Sequence, residues 1–403
     1  MIAFLLAQTI AITGGTVYPV SGPKIENATV LIRDGRIAAV GTNVAVPAGA
    51  TRIDASGKWI TPGLIDGAGQ MGLREISAVQ NTNESALRGD EVAAAFNVAE
   101  GINPASMLIP VNRVEGITTT LAVPNGDLIW GQAVLIDLDG TTIEAMVATR
   151  SPVAMVADLS EGSKSAGGGS RAGVAQRLRR VFNDALEFSR RGASYQRAQN
   201  EQLAASAADL EALLPVLRGQ IPLLAVANRR SDIETALRIA REYKLRLILA
   251  GAAEGWEIAD KIAAAGVPVV VQPMDNIPSF DALGVRYENA ALLAKAGVKV
   301  SLMETQTENS RNLRQQAGNA VAYGMTWDQA LRAVTLAPAE AFGVGGQYGS
   351  LDVGKVANVV VWTGDPFEFS TGVEHVFIRG KEISLRSRQT ELLDRYRTLP
   401  PKY

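Results

Sequence analysis

The sequence contains no cysteine and only one histidine among its 403 residues. The absence of cysteine excludes disulfide bonds, zinc–thiolate sites, iron–sulfur clusters and cysteine nucleophiles. A single histidine excludes every metal site built from several imidazoles, and it leaves His375 as the one imidazole that the chain offers. We expect His375 to be a surface or strand-edge residue. The chain is therefore poor in the side chains that most often carry enzyme chemistry.

The sequence also lacks a large excess of charge of either sign, and it lacks long apolar runs. The 39 Lys and Arg residues nearly balance 41 Asp and Glu residues, and the net charge of −2 gives no general field for nucleic acid. No stretch approaches the roughly 18 apolar residues of a membrane span. Hydrophobic residues make up 47% of the chain, which is ample for a buried core. The length predicts one large domain with a smaller one.

The first residues are apolar. Residues 1–9 are interpreted either as the remnant of a signal peptide or as a first β-strand. The signal-peptide interpretation predicts a periplasmic or secreted protein, and the alternative is a cytoplasmic one.

The remaining pattern divides the chain into three parts. Residues 10–60 and 345–383 show short strands and tight turns, and residues 384–403 form a charged C-terminal arm. Between them, residues 61–344 alternate apolar strand-like runs with helical segments, which is typical of a (β/α)8 TIM barrel of the α/β class. Continuous aliphatic runs are typical of strands covered on both faces. These eight runs are 63–65, 119–123, 133–136, 153–157, 223–227, 245–249, 267–271 and 298–302.

Several motifs at the two ends of the chain point to a known family. They are Gly14-Gly15-Thr16-Val17, Thr61-Pro62-Gly63-Leu64-Ile65-Asp66, Ala330 to Ala341 (ALRAVTLAPAEA), Gly349-Ser350-Leu351, Gly354-Lys355-Val356-Ala357-Asn358 and Gly364-Asp365-Pro366. These motifs resemble the amidohydrolase superfamily, in its imidazolonepropionase-like branch. The resemblance implies a TIM barrel with a small β-sandwich formed by both chain ends. It also implies metal-dependent hydrolysis of non-peptide C–N bonds, especially in cyclic amides, with one or two divalent metals at the barrel mouth.

The sequence departs from this family at the metal ligands. After Asp66 the family has His-x-His, but this chain has Gly67-Ala68-Gly69-Gln70, and we place the His spacing at Gly67 and Gly69. A further family His falls at Val226, and the next ligand strand ends in 250–252 without His. No Asp stands at 303–306, although Glu304 does. Because Gly, Ala and Val cannot coordinate a metal, we expect no metal and no cofactor.

Polar residues that follow the barrel strands are candidates for a site at the barrel mouth, where TIM barrels carry their function. No catalytic residue can be assigned among them. The candidates are Asp66, Gln70, Asn228, Arg229, Glu254, Gln272, Glu304 and Arg311.

Three interpretations of this mouth stay open. The chain is a pseudoenzyme or partner subunit, a binding protein for a polar small molecule whose anion is held by Arg229 or Arg311, or a metal-free or carboxylate-only hydrolase. The last would use Asp66, Glu254 and Glu304, which are oxygen ligands suited to Mg²⁺ or Ca²⁺. We expect a homo-oligomer or a heteromer with an active paralogue, through residues 174–217 and 392–403.

Overall fold

The computed structural model describes residues 9–191, 203–275 and 277–398. The predicted signal-peptide remnant lies outside these residues except for Thr9, which begins the first strand, so export remains a prediction. Five N-terminal strands open the fold. They are β1 (Thr9–Val17), β2 (Ile25–Arg33), β3 (Arg36–Gly41), β4 (Thr51–Asp54) and β5 (Trp59–Pro62).

The hairpin between β2 and β3 follows from its turn residues. Asp34 and Gly35 both have positive φ, 51° and 75°, which the two central residues of this tight turn require. The antiparallel register runs from Thr29 opposite Gly41 to Arg33 opposite Arg36.

Eight further strands form the barrel sheet, and they coincide with the eight apolar runs. Their order in the sheet follows the order in the chain, so each strand lies beside its successor. They are β6 (Leu64–Gly69), β7 (Ile117–Ala122), β8 (Ile129–Asp137), β9 (Ala154–Asp158), β10 (Leu223–Ala227), β11 (Leu247–Gly251), β12 (Val269–Val271) and β13 (Val300–Leu302).

The barrel is TIM-like but departs from eight parallel strands. β8 runs antiparallel to both β7 and β9, whereas the other pairings are parallel. The expectation of a regular (β/α)8 alternation is therefore wrong at β8. The connection from Ala122 to Ile129 is too short for the crossover that parallel neighbours need, so the chain forms a hairpin there.

Three C-terminal strands complete the first sheet. They are β14 (Val359–Trp362), β15 (Val373–Ile378) and β16 (Lys381–Glu382). β14 pairs with β5, so both chain ends share one sheet in the order β16-β15-β14-β5-β1-β2-β3, with β4 beside β1. The pairing is continuous, so a single hydrogen-bonded sheet is formed by both chain ends, and its folding into the two facing layers of a sandwich stays a prediction.

Helices cover the barrel, and the sheet encloses its own apolar cluster around Ile12, Ile60 and Phe377. The α-helices are α1 (Leu108–Arg113), α2 (Ile143–Met146), α3 (Arg171–Arg191), α4 (Ala207–Ala212), α5 (Leu214–Leu217), α6 (Arg230–Tyr243), α7 (Ala259–Ala264), α8 (Asn289–Lys295), α9 (Leu313–Ala322), α10 (Trp327–Ala333), α11 (Leu336–Ala341) and α12 (Arg388–Tyr396). Short 3-10 turns span Gln80–Thr82, Val98–Gly101, Glu161–Ser163, Gly255–Ile258 and Thr307–Asn312.

The predicted association surface at 174–217 is partly core. Leu178, Val181 and Phe182 of α3 are fully buried against the barrel, so these side chains cover the sheet and are not available to a partner. Part of the stretch, 192–202, lies outside the described residues. None of the helices in the described ranges is long and apolar enough to cross a membrane.

Candidate functional site

A cavity of about 350 Å³ opens at the carboxyl ends of the barrel strands, the end at which TIM barrels place their sites. Its walls are mostly apolar, because inward-facing strand residues such as Val226 and Leu224 reach it. Of the eight predicted residues, Gln70, Asn228 and Gln272 line it. Other polar lining residues are Arg74, Asn125, Asp275, Arg286, Asn289 and Thr305.

The first barrel strand presents Ala68 and Gln70 to this cavity. A Cβ atom on Gly67 would instead lie 2.8 Å from the carbonyl oxygen of Leu302, and one on Gly69 would lie 2.9 Å from Asp66 Oδ2. The placement of the His-x-His spacing at Gly67 and Gly69 is therefore wrong. The cavity-facing pair at the same spacing is Ala68 and Gln70.

The ligand set of the family's divalent metals does not fit these positions. Ala68, Val226 and Ala250 face the cavity with apolar side chains. The amide oxygen of Gln70 is occupied by a 3.2 Å hydrogen bond from Arg74 Nη1. Within the described ranges, no group of three or more His, Asp or Glu side chains is arranged to hold a metal ion. The absence of donors at the inward positions carries this conclusion, because carbon atoms cannot coordinate a metal.

Asp66 and Glu304 are brought together by the closure of the barrel, although neither lines the cavity. The backbone N–H of Glu304 donates to Asp66 Oδ1 over 3.1 Å. Burial, together with the nearby Glu304 carboxylate, raises the pKa of Asp66 to about 7. Burial also raises the pKa of Glu304.

The Glu304 carboxylate is held by protein donors. Gln272 Nε2 donates to Oε1 over 3.1 Å, Gln316 Nε2 donates to Oε2 over 2.8 Å, and the Gln306 N–H adds a third bond. These bonds join the ends of β12 and β13 to α9. The carboxylate therefore acts as a buried cross-link between these elements.

Three predicted residues serve the loops around the mouth. Glu254 accepts hydrogen bonds from the Arg230 and Gly284 N–H groups, each over 2.9 Å, so both oxygens are engaged away from Asp66. The proposed trio of Asp66, Glu254 and Glu304 is thus not a site. Arg229 precedes α6, and Arg311 lies in the turn Thr307–Asn312; neither lines the cavity. An anion clamp built on either residue is not supported.

The sequence reasoning missed two arginines that line the cavity. Arg74 donates to Gln70 and to the Ser77 carbonyl, while its Nε–H is buried without a partner. The Arg286 guanidinium lies 4.6 Å from the ring centre of Trp256. Arg74 follows β6 closely enough that the position rule could have included it among the candidate site residues. Arg286 lies in the long segment between β12 and α8, where no sequence pattern indicated a site residue.

Carboxylates converge on Arg171 beside the cavity rim. Its guanidinium contacts Glu161 Oε2 at 2.8 Å, Asp232 Oδ2 at 2.8 Å and Asp281 Oδ1 at 2.9 Å. Asn228 Nδ2 donates to the other oxygen of Asp281 over 2.8 Å, which ties the cluster to the cavity wall.

Asp158 ends β9 beside this cluster. Burial, together with the carboxylates of Asp281 and Asp232, raises its pKa to about 6. The chain's one histidine is remote from the mouth. His375 Nδ1 lies 2.6 Å from Glu382 Oε1 on the C-terminal strands.

The fold and the cavity together define a TIM-barrel-like protein with a site at the carboxyl ends of its strands. Residues 252–383 match the model of the amidohydrolase family. These residues thus carry an amidohydrolase family domain. This match confirms the resemblance inferred from the sequence motifs and the prediction that the protein is a hydrolase by family.

Individual relatives agree with this family. The amidohydrolase tasK of Hapsidospora irregularis is 24% identical over 87% of this chain, which spans only 39% of that protein. An imidazolonepropionase of Acidiphilium cryptum is 24% identical over 85% of this chain and 89% of its own length. The crystal structure of an amidohydrolase from Thermotoga maritima MSB8 superposes with a TM-score of 0.86 at 28% identity, over 94% of this chain and all of that one.

Proposed function

We propose that this chain is a pseudoenzyme of the amidohydrolase family that binds a small molecule at the barrel mouth without a catalytic divalent metal. One observation carries the proposal: the cavity keeps its place above the barrel while Ala68, Val226 and Ala250 occupy its inward positions. The apolar side chains at these three positions support binding and offer no ligand to a metal that would activate water.

The cavity supports a ligand with an apolar body and an anionic end. Most polar groups of the wall are already engaged, as Gln272 is by Glu304 and Asn289 by the Trp256 N–H. The groups left for a ligand include the guanidinium groups of Arg74 and Arg286 and, since its oxygen is taken, the amide nitrogen of Gln70, and they outnumber the one lining carboxylate, Asp275. A carboxylate or another hydrogen-bond acceptor suits such donors.

The test is a binding screen with paired compounds. We expect small apolar carboxylic acids to bind, as measured by calorimetry, and their primary amides to bind at least about tenfold more weakly, because the charge-assisted bond to Arg74 is lost. Arg74→Gln should remove this preference. Arg88→Gln is the matched control, since Arg88 is on the same segment, exposed, and bonded to Gln80. Equal affinity of acids and amides for the unmodified protein would contradict the proposed ligand class.

A second candidate function, that of a partner subunit, is favoured by the rim of the cavity. The segment between β12 and α8 exposes Ile277, Phe280 and Leu283 at 81%, 86% and 65%. Neighbouring apolar side chains with this exposure support association with another protein. A second copy of this chain or an active paralogue is the partner we propose for this surface.

A further inference from the structure

A carboxylate fixes the orientation of the side-chain amide of Asn228 at the cavity wall. Asn228 follows β10 directly and lines the cavity. Its Nδ2 donates a hydrogen bond to Asp281 Oδ2 over 2.8 Å. An ionised carboxylate only accepts hydrogen bonds, so the NH2 group of Asn228 must face Asp281 and the amide oxygen must face the other way.

Asp281 is itself held in place by its other oxygen. Oδ1 lies 2.9 Å from Arg171 Nη2 and accepts the Glu161 backbone N–H over 3.0 Å. The Arg171 guanidinium is fixed in turn by Asp232, at 2.8 Å. Turning the Asn228 amide over would place its oxygen against Asp281 Oδ2, two acceptors with no hydrogen between them. This network therefore allows one orientation of the amide.

The amide oxygen of Asn228 lies beside Gly251, which ends β11 and also lines the cavity. A Cβ atom on Gly251 would lie 2.2 Å from Asn228 Oδ1 but 3.7 Å from Nδ2, so the glycine makes room for the oxygen. In the part of the chain that the structure describes, no hydrogen-bond donor reaches Oδ1, and this oxygen remains accessible. It is an acceptor of fixed direction at the cavity wall.

A fixed acceptor discriminates between ligands. A ligand whose N–H reaches Oδ1 keeps this oxygen paired, whereas a ligand without a donor covers the oxygen and leaves it unpaired, which costs free energy. The neighbouring wall residues Val226 and Ala250 are apolar and offer no side-chain donor in its place.

We propose that Asn228 is a specificity-determining residue of the cavity, whose amide oxygen accepts a hydrogen bond from an N–H group of the ligand. This inference rests on the proposed function, and it adds an N–H donor to a ligand with an apolar body and an anionic end. A carboxylic acid that carries a secondary amide has this chemistry. Asp281 and Arg171 act through Asn228 and are positioning residues.

A pair of isosteric acids tests this assignment. N-acetyl-leucine carries a secondary amide N–H, and the acetate ester of leucic acid in the same configuration has an oxygen atom in place of that N–H. Both compounds keep the carboxylate and the apolar side chain, so only the donor differs. By calorimetry with the unmodified protein, we expect the amide to bind at least about fivefold more tightly than the ester.

Removal of the acceptor should remove this preference. Asn228→Leu keeps the approximate size of the side chain, and we expect it to bind the two acids within about twofold of each other. Asn125→Leu is the matched control. Asn125 also lines the cavity, but its amide oxygen already accepts the Gly126 N–H over 2.9 Å, so this variant should keep the full preference for the amide.

Asp281→Ala tests the positioning role. It frees the Asn228 amide to turn, so that Nδ2 can face the ligand. We expect the preference for the amide to fall to about twofold without any loss of affinity for the ester. A merely structural role of Asp281 would weaken the binding of both acids alike and leave their ratio unchanged.

Two outcomes overturn the role of Asn228 and leave the proposed function intact. One is equal affinity of the amide and the ester for the unmodified protein. The other is a preference that survives Asn228→Leu, because another group would then recognise the donor. If neither acid binds the unmodified protein, the proposed function fails, and this inference fails with it.

Discussion

The Glu304 backbone N–H donates to Asp66 Oδ1 over 3.1 Å, and this bond joins the first strand of the barrel sheet to the chain just after its last strand. The Glu304 side chain is meanwhile held by Gln272 and Gln316. Asp66 and Glu304, two of the three carboxylates named from the sequence as site candidates, are thus buried structural groups at the seam of the barrel. The cavity beside them is lined by other residues.

The first prediction concerns the pH dependence of stability. Burial raises the pKa of Asp158 to about 6 from an ordinary value of 3.8, so its contribution to stability is greatest below pH 4 and is lost as the pH rises through 6. At pH 8, Asp158→Asn should therefore be more stable than the unmodified protein by on the order of 2 kcal/mol.

Urea unfolding between pH 4 and 8 measures this effect, and the difference between the two proteins should vanish toward pH 4. Asp260→Asn, at an exposed helix position, is the control and should follow the unmodified protein at every pH. If the free energies of unfolding of Asp158→Asn and the unmodified protein changed in parallel with pH, burial would not raise the pKa of Asp158 as described.

The second prediction concerns restoration of the family's first two ligands. Ala68→His with Gln70→His points both imidazoles into the cavity, but Val226 and Ala250 still supply no donor. We expect this double variant to fold and to show no zinc- or manganese-dependent hydrolysis of cyclic amides. Metal-dependent turnover would show that other residues of the cavity wall can complete a catalytic metal site, and it would contradict this prediction.

Gly67→His with Gly69→His should behave differently from that pair. Each new Cβ meets fixed atoms, the Leu302 carbonyl at 2.8 Å and Asp66 Oδ2 at 2.9 Å, so we expect a loss of about 2 kcal/mol or more in stability. Gly346→His is the control, because no atom lies within 4 Å of its Cβ position. Equal stability of the two double variants would contradict the assignment of inward and outward positions on β6.

The third prediction concerns Arg171, which holds three carboxylates at the rim. Arg171→Met leaves Asp232 and Asp281 close together without their counter-charge, so we expect a loss of about 2 kcal/mol in stability. Limited proteolysis should also cut within 277–284 faster, because Asp281 anchors that segment. Arg179→Met is the control. It removes one ion pair, with Glu242, which is more exposed to solvent than the Arg171 cluster, so the loss of stability should be less than about 1 kcal/mol.

The sequence predicted the strands better than their directions. Eight apolar runs corresponded to eight barrel strands, because burial on both faces selects continuous aliphatic segments. The reversed direction of β8 is not encoded in that pattern. The short connection after Ala122 was the available signal, since a parallel neighbour needs a longer crossover.

The site was predicted less completely for a similar reason. Of the residues named by their position after a strand, Gln70, Asn228 and Gln272 line the cavity. Position in the sequence could not distinguish these lining residues from Glu254, whose carboxylate oxygens accept hydrogen bonds from two backbone N–H groups. Arg286 reaches the cavity through a long loop, and the partners of Arg171 are distant in sequence, so neither contact has a local signature.

The fourth prediction concerns association. The exposed side chains Ile277, Phe280 and Leu283 lead us to expect a homodimer at micromolar concentration, with an interface above about 1,000 Å². Light scattering should show Ile277→Ser with Phe280→Ser as a monomer. The double variant Leu393→Ser with Tyr396→Ser changes two exposed residues of the C-terminal arm. It tests whether this arm, the other predicted association surface, contributes to the dimer. A strictly monomeric unmodified protein would remove the self-association proposal.

The most direct test of the pseudoenzyme proposal is the divalent metal content of the purified protein after incubation with excess zinc, manganese or iron and removal of unbound ion. Because Ala68, Val226 and Ala250 offer no donor atom, we predict much less than one equivalent of any of these metals per chain. One tightly held equivalent, displaced by a ligand of the cavity or lost on substitution of Gln70, would place a metal at the barrel mouth and contradict the account.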